Sequence, residues 1–170
     1  MLNIGILGCG RIGQVHARSV SHVDGARVAA VADAFPAAAS ALAEKTGARV
    51  MSTDEIIASP DIDAVVIGTP TDTHFDLIDK SAKVGKAIFC EKPVDMSADR
   101  IRQLITIVEA AGAPFLTGFN RRFDPGFAAM RARIAAGEIG EVELVTILSR
   151  DPSPPPDLPD LQLAPRHVRL

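Results

Sequence analysis

Short apolar runs, rich in β-branched residues, alternate along most of this 170-residue chain with longer amphipathic stretches. Each run is apolar nearly throughout, which is typical of parallel strands whose two faces are both covered by helices. The candidate strands are residues 3–8, 27–33, 63–69, 87–91 and 114–119, with residues 49–51 as a short sixth. This alternation predicts an α/β fold built on a doubly wound parallel sheet.

Helix signals lie between these runs. Ser52 and Glu55 have the spacing of a capping box, in which each side chain accepts a hydrogen bond from the backbone N–H of the other residue. In residues 97–112, apolar side chains recur every three or four positions, which places them on one helix face. Gly112 follows where helices commonly stop. We therefore expect helices after Ser52 and over most of residues 97–112.

Composition narrows the class of protein. Hydrophobic residues make up 47% and charged residues 23% of the chain, which favours a packed core. The net charge of −3 gives no case for nucleic acid or an anionic membrane as a partner. No apolar run approaches the roughly 20 residues of a membrane span. Cys9 and Cys90 lack metal-type spacing, so we expect reduced thiols in a cytoplasmic protein and no metal site.

The first candidate strand runs into a G-x-G-x-x-G loop with the sequence Gly8-Cys9-Gly10-Arg11-Ile12-Gly13. A strand precedes this loop and a helix-like run follows it, as a Rossmann-type dinucleotide site requires. Gly8 allows the tight turn, Gly10 lets the backbone approach a diphosphate, and Gly13 lets the helix pack close to the strand. Free N–H groups and the helix dipole favour the phosphate charge. All six residues are therefore candidate cofactor-binding residues.

Asp33 ends the second candidate strand, 20 residues after Gly13. An acid near that position accepts hydrogen bonds from the ribose hydroxyls of a dinucleotide. Because a carboxylate repels a 2′-phosphate, the cofactor expected is NAD rather than NADP, although Arg11 could still reach a phosphate. The alternative is a plain glycine turn between a strand and a helix, with Asp33 as a helix cap.

A second loop, residues 68–74, follows the strand at residues 63–69. In a doubly wound sheet, ligands bind beyond the carboxyl ends of the strands. Thr69, Pro70 and His74 are therefore expected to line the same crevice as the glycine loop. Taken alone, His74 fits a residue at a helix N-terminus that binds no ligand better than it fits a ligand-binding residue.

Glu91 and Lys92 end the strand at residues 87–91, and Pro93 follows at once. The proline restricts Lys92 to an extended conformation, so this lysine cannot start a helix. A lysine fixed at the edge of a cleft can hydrogen-bond a substrate hydroxyl and take part in proton transfer. An ordinary exposed ion pair at a strand end fits these three residues equally well.

Four motifs occur together in this order: the glycine loop, TPTDTH, FCEKPVD and GFNRRFDPGF. Over about residues 1–152, this set resembles the glucose–fructose oxidoreductase and inositol dehydrogenase family, most closely its inositol 2-dehydrogenase branch. The resemblance implies that Lys92 is the active-site lysine and that its bond to Pro93 is cis. It further implies that Glu91 supports the nicotinamide side and that Arg121 faces the substrate.

The same resemblance implies NAD-linked oxidation of a secondary hydroxyl on inositol or a related sugar, so the expected partner is a small polyol. Family members have a second domain that supplies an aspartate and a histidine to the catalytic set. No D-x-x-x-H motif follows residue 150, and His167 is not assigned that role. We therefore expect a truncated enzyme, or the product of a shifted reading frame. The alternative is a dinucleotide-binding module without catalysis.

The chain is expected to divide into a dinucleotide-binding domain at residues 1–120, a second segment at 121–150 and a proline-rich tail at 151–170. Residues 127, 130 and 134 suggest one more helix, and residues 141–149 are interpreted as the first strand of a second α+β domain. A strand without its sheet tends to pair with another chain. We therefore expect a homo-oligomer, or self-association through residues 141–149.

Overall fold

The computed structural model describes residues 1–149 and contains a six-stranded parallel sheet. Its strands are β1 (Leu2–Leu7), β2 (Ala26–Ala32), β3 (Arg49–Val50), β4 (Ala64–Ile67), β5 (Ala87–Cys90) and β6 (Phe115–Thr117). Its helices are α1 (Arg11–Val20), α2 (Pro36–Thr46), α3 (Thr53–Ala58), α4 (His74–Lys83), α5 (Ala98–Ala111) and α6 (Pro125–Ala135). The predicted doubly wound parallel sheet is confirmed, including the short sixth strand.

The strand order is β3-β2-β1-β4-β5-β6, so β1 lies at the centre. From β1 the chain runs outward through β2 to β3, then returns to the other side of β1 as β4. Ile4–Leu7 of β1 pair in register with Ala64–Ile67 of β4. The order therefore reverses between β1 and β4, and such a reversal opens a crevice beyond the carboxyl ends of those strands.

Two clusters of buried apolar side chains cover the two faces of the sheet. Neighbouring residues on β1 show the division: Ile6 belongs to one cluster and Leu7 to the other. Successive side chains on a strand point to opposite faces, so both faces of β1 are buried. This explains why the strands read as continuous apolar runs rather than as alternating patterns.

The predicted helix boundaries follow from local hydrogen bonds. The Glu55 N–H donates to Ser52 Oγ at 3.2 Å, and the Ser52 N–H donates to Glu55 Oε2 at 2.8 Å, so the capping box is confirmed. Ser97 caps the N-terminus of α5, and Gly112 ends that helix with a left-handed φ of 61°. These contacts lie within one or two turns, which is why the sequence alone predicts them.

A second compact unit begins at Phe123, after a first unit that comprises Met1–Arg122. Its helix α6, Pro125–Ala135, contains residues 127, 130 and 134, whose apolar spacing predicted a helix. The Asp124 carboxylate caps α6 by accepting hydrogen bonds from the N–H groups of Gly126 and Phe127. The sequence places a good N-cap residue directly before a proline, which is a common helix start.

The strand predicted at residues 141–149 is wrong, because these residues adopt no strand in the structure. Leu144 is 85% exposed and Ile147 is 84% exposed. A strand needs a partner backbone for its N–H and C=O groups, and residues 1–149 supply none for this segment. The first strand of a second domain is therefore not formed. The proline-rich tail at 151–170, with His167, lies outside the described residues.

Candidate functional site

The glycine loop occupies the carboxyl end of β1, and two of its glycines are required by close packing. Gly8 has a φ of 97°, and a methyl group there would lie 2.6 Å from the carbonyl oxygen of Gly68. A methyl group on Gly13 would collide with the carbonyl oxygen of Gly8. Ile12 packs across this junction, because a methyl group on Gly68 would meet its side chain at 3.2 Å. The loop is therefore pressed against the end of β4.

Gly10 differs from Gly8 and Gly13, since a methyl group on Gly10 would meet nothing within 4 Å. It is the N-cap of α1, and no side chain caps the helix at that position. Arg11 is exposed at the first helical position. Open space in front of an uncapped helix start is what a dinucleotide diphosphate requires, because the first N–H groups of a helix can then donate to its oxygens. The residues of the loop fit the group that their pattern predicts.

The Asp33 carboxylate ties the end of β2 to the glycine loop. Its Oδ2 accepts a hydrogen bond from the Cys9 N–H at 2.6 Å, and its Oδ1 accepts one from the Phe35 N–H at 2.8 Å. The N-cap of α2 is Phe35, so Asp33 does not cap that helix. A carboxylate has about four lone-pair positions, which leaves acceptors for ribose hydroxyls.

Cys9 is the one loop residue whose side chain is buried for structural reasons. It is 1% exposed, and its thiol donates to the carbonyl oxygen of Ala32 at 3.4 Å. Burial, together with the negative charge of Asp33, raises the pKa of the thiol to about 11. Cys9 is therefore a neutral thiol at physiological pH and contributes its backbone, rather than its sulfur, to the loop.

The loop after β4 is held by its own hydroxyl groups. Thr69 Oγ1 and Thr73 Oγ1 lie 2.7 Å apart, and the Thr73 hydroxyl also donates to the Pro70 carbonyl at 2.7 Å. A single turn of 3₁₀ helix, Thr71–Thr73, leads from this loop into α4. Thr69 and Pro70 therefore sit at the carboxyl end of β4, at the edge predicted from the sequence.

His74 begins α4 and is buried, with 1% of its surface exposed. Its Nδ1 lies 2.9 Å from the Pro93 carbonyl oxygen, and its Nε2 lies 2.9 Å from the Thr69 carbonyl oxygen. Both ring nitrogens are thus directed at backbone atoms of the two loops that follow β4 and β5. In this arrangement His74 joins these loops and offers no free nitrogen to a ligand.

Glu91 and Lys92 follow β5 at the same carboxyl edge of the sheet as Thr69 and Pro70. The Lys92–Pro93 bond is cis, as the family resemblance implied, and Lys92 is exposed. Among the described residues, no salt bridge joins the Lys92 amine to Glu91, whose Oε1 instead lies 2.8 Å from Nε2 of His16. The ordinary strand-end ion pair is therefore not the arrangement in the structure.

Arg121 lies in the short 3₁₀ segment Asn120–Phe123, which follows β6 by two residues. It is exposed, as is the neighbouring Phe119. Its place after the last strand agrees with the edge on which Lys92 lies, since β5 and β6 are parallel neighbours. The structure thus places Lys92 and Arg121 after adjacent strands.

His16 is the residue of this region that the sequence reasoning missed. It lies three positions after Gly13 on α1, so both residues point from the same side of the helix. Its ring packs edge-on against Phe89, with ring centroids 4.9 Å apart. The helical spacing from Gly13 could have indicated that His16 faces the sheet, but not which residue of β5 it meets.

Two negative findings apply to residues 1–149. Within that range, no three or more His, Cys, Asp or Glu side chains cluster in a way that could hold a metal ion. In the same part of the chain, no helix combines the length and the apolar character that crossing a membrane requires.

Comparison with known proteins places the chain among oxidoreductases. The profile of a family described as "Oxidoreductase family, NAD-binding Rossmann fold" matches residues 2–119. The inositol 2-dehydrogenase of Rhizobium meliloti (strain 1021) is 59% identical over 155 residues, which are 91% of this chain and 47% of that protein. The chain spans about half the length of the curated relatives it matches.

Solved structures show the same likeness. The myo-inositol dehydrogenase of Corynebacterium glutamicum ATCC 13032 is 42% identical, with a TM-score of 0.78 over 84% of this chain and 43% of that one. The scyllo-inositol dehydrogenase of Lactobacillus casei, solved with bound NAD(H) and scyllo-inositol, is 28% identical, with a TM-score of 0.79 over 83% of this chain and 43% of that one.

Proposed function

This chain belongs to the oxidoreductase family with an NAD-binding Rossmann fold, and on that premise we propose that it serves the NAD-dependent oxidation of a secondary hydroxyl on inositol or a related sugar. The observation that carries the proposal is the joint placement of the open glycine loop after β1 and of Lys92 after β5. Both lie at the carboxyl edge of one parallel sheet. Relatives named as inositol dehydrogenases support the choice of substrate class.

The glycine loop and Asp33 would hold the dinucleotide. The backbone at Gly10 and the start of α1 would bind the diphosphate, and Asp33 would accept the ribose hydroxyls. The carboxylate of Asp33 disfavours a 2′-phosphate, which supports NAD over NADP. When bound, NAD supplies the acceptor for a hydride.

The edge formed by β4, β5 and β6 would face the reacting groups. Lys92 would hydrogen-bond the substrate hydroxyl and polarise it, and Arg121 would contact the polyol. Thr69 and Pro70 would line the cofactor side. The buried state of His74 supports a role in holding this edge rather than in direct contact with the cofactor.

A second candidate function is a dinucleotide-binding module without turnover. The residues that match span about half the length of the relatives. By the family resemblance, the aspartate and the histidine that work with Lys92 belong to the other half. Both candidates require NAD binding, and only the first requires NAD reduction.

A calorimetric titration with NAD, combined with NAD reduction on a panel of inositols and sugars, separates these candidates. Gly10→Ala should weaken NAD binding by about tenfold or more, a loss of about 1.4 kcal/mol. Gly10 has a φ of −66° and open space around it, so alanine fits the fold and thermal unfolding should be unchanged. Lys92→Met is the matched control that should keep NAD binding and lose turnover. Absence of NAD binding in the wild type would contradict both candidates.

Self-association and cytoplasmic localisation complete the proposal. The apolar side chains of residues 142–149 are exposed, and exposed apolar segments commonly mark contacts between chains. A second copy of this chain is the partner proposed. The cytoplasmic location rests on the two free cysteines, Cys9 and Cys90, and stays a prediction.

A further inference from the structure

The Glu91 carboxylate connects two parts of the site that are far apart in the sequence. Its Oε1 lies 2.8 Å from Nε2 of His16, which is 75 residues away on α1. Its Oε2 accepts a hydrogen bond from the backbone N–H of Lys92 at 3.2 Å. One carboxylate therefore bridges the helix that begins at the glycine loop and the backbone of Lys92.

Both partners of this contact are largely shielded from water. The His16 side chain is 19% exposed and the Glu91 side chain is 17% exposed. Hydrogen bonds to a charged group are stronger than neutral ones, and shielding from water strengthens them further. The contact between His16 and Glu91 is therefore suited to fixing the position of the Glu91 carboxylate.

A third element leaves room for the same carboxylate. A methyl group on Gly118, which follows β6, would lie 3.1 Å from the Glu91 carboxyl carbon and from both of its oxygens. Gly118 is also fixed in place, since its N–H donates to the Cys90 carbonyl at 2.8 Å. Glycine at this position thus gives the carboxylate its space.

We propose that His16 is a positioning residue that holds Glu91, and through Glu91 the backbone of Lys92, in a fixed position relative to the glycine loop. The inference rests on the proposed function for the role of Lys92 and adds a physical link between that lysine and the dinucleotide loop. Because couplings between sites are reciprocal, a ligand on the glycine loop and the placement of Lys92 influence each other through this link.

Two substitutions separate the hydrogen bond of His16 from the packing of its ring. His16→Phe keeps a ring against Phe89 and removes the donor to Glu91. His16→Gln removes the ring and keeps an N–H group that can reach the carboxylate. His22→Phe is the control, because His22 is an exposed histidine just after α1 whose Nδ1 lies 2.7 Å from the carbonyl oxygen of Arg18.

The direct readout is the Lys92 backbone amide in the isotopically labelled full chain without NAD. His16→Phe should raise the hydrogen-exchange rate of this amide about fivefold, the effect of losing one hydrogen bond in a local opening. His16→Gln should restore the rate to within about twofold of the wild type, and His22→Phe should leave it unchanged. An unchanged rate in His16→Phe, or equal rates in His16→Phe and His16→Gln, would overturn the proposal.

A second variant keeps the test decisive if His16→Phe does not fold. Gly118→Ala presses on the Glu91 carboxylate, since the added methyl group would lie 3.1 Å from it, and leaves His16 intact. It should shift both the His16 ring resonances and the Lys92 amide resonance. If Gly118→Ala leaves these resonances where they are in the wild type, the link through Glu91 does not exist.

NAD titration of the same proteins distinguishes this inference from the proposed function. His16→Phe should bind NAD about fivefold more weakly than the wild type, and His16→Gln should recover the affinity. If the wild type binds no NAD, the proposed function fails, while the amide-exchange result still decides the role of His16. If NAD binds equally to all variants, the coupling to the glycine loop is refuted.

Discussion

Helices α4 and α6 are similar in length and in apolar spacing, yet they differ in what they bury. α4 has five buried residues, among them Leu77 and Ile78, whereas α6 has none. A stripe of apolar side chains predicts a helix in both cases, but burial requires a surface to receive the stripe. The first unit supplies such a surface in its sheet. The apolar residues Phe127, Met130 and Ile134 of α6 stay 36–53% exposed.

The largest expected effect separates these two helices directly. Ile78→Ala should lower the free energy of unfolding by about 2–5 kcal/mol, because Ile78 is fully buried and its removal leaves a cavity. Ile134→Ala on α6 should change it by less than about 0.5 kcal/mol. Urea denaturation followed by circular dichroism measures both. Equal losses in the two variants would show that α6 is packed as firmly as α4.

A second test concerns a charge buried within the first unit. Lys86 is 8% exposed, and its Nζ donates to the carbonyl oxygens of Ser59 and Ile62. Lys86→Met should cost about 1–3 kcal/mol of unfolding free energy, since the buried Ile62 carbonyl loses its lysine donor, while the Ser59 carbonyl keeps only the hydrogen bond from the Ile62 N–H at 3.3 Å. Lys83→Met is the control, because Lys83 pairs with Asp79 on the surface and should cost less than about 1 kcal/mol. A loss no greater for Lys86→Met than for Lys83→Met would refute this account.

A third test asks what the exposed segment does in solution. Replacing Leu144 and Ile147 together by lysine should weaken self-association about tenfold, a change of about 1.4 kcal/mol. Both side chains are more than four-fifths exposed, so the substitutions should not alter the first unit. Sedimentation velocity over a range of concentrations gives the association constant. A wild-type chain that sediments as a monomer at every concentration would contradict the proposed self-association.

A fourth test concerns the loss of stability at alkaline pH. Burial raises the pKa of the Cys90 thiol to about 12, and the negative charge of Glu91 adds to the rise. Burial and the charge of Asp33 raise the pKa of the Cys9 thiol to about 11 in the same way. A raised folded-state pKa favours the protonated thiol, so this contribution is complete below the unfolded value near 9 and falls as the pH rises through 11 and 12. Cys9→Ala should flatten the decline in unfolding free energy between pH 9 and 11. An identical pH profile in that variant would count against the shift.

The sequence predicted those features that depend on local chemistry. The parallel strands, the turn at Gly8 and the capping box at Ser52 follow from residues within a few positions of one another. The position of Asp33 follows from the regular length of the strand–helix–strand unit. Each of these features is present in the structure.

The features that the sequence did not predict depend on distant partners. Residues 141–149 have the composition of a strand, but strand formation needs another backbone, and composition cannot supply it. The contact between His16 and Glu91 joins α1 to the end of β5. The sequence around either residue does not indicate that the other is its partner. His74 was expected at the crevice, whereas its two carbonyl partners come from separate loops and fix it below the surface.

The double use of Asp33 has a consequence for redesign of cofactor preference. Switching such a domain toward NADP ordinarily means replacing this acid with a small or basic residue. Here the acid also accepts the N–H groups of Cys9 and Phe35, so its replacement would leave two backbone donors without their acceptor. A change of cofactor at this position is therefore tied to a looser glycine loop, and a workable redesign needs a new acceptor for the Cys9 N–H, such as the side chain of an asparagine.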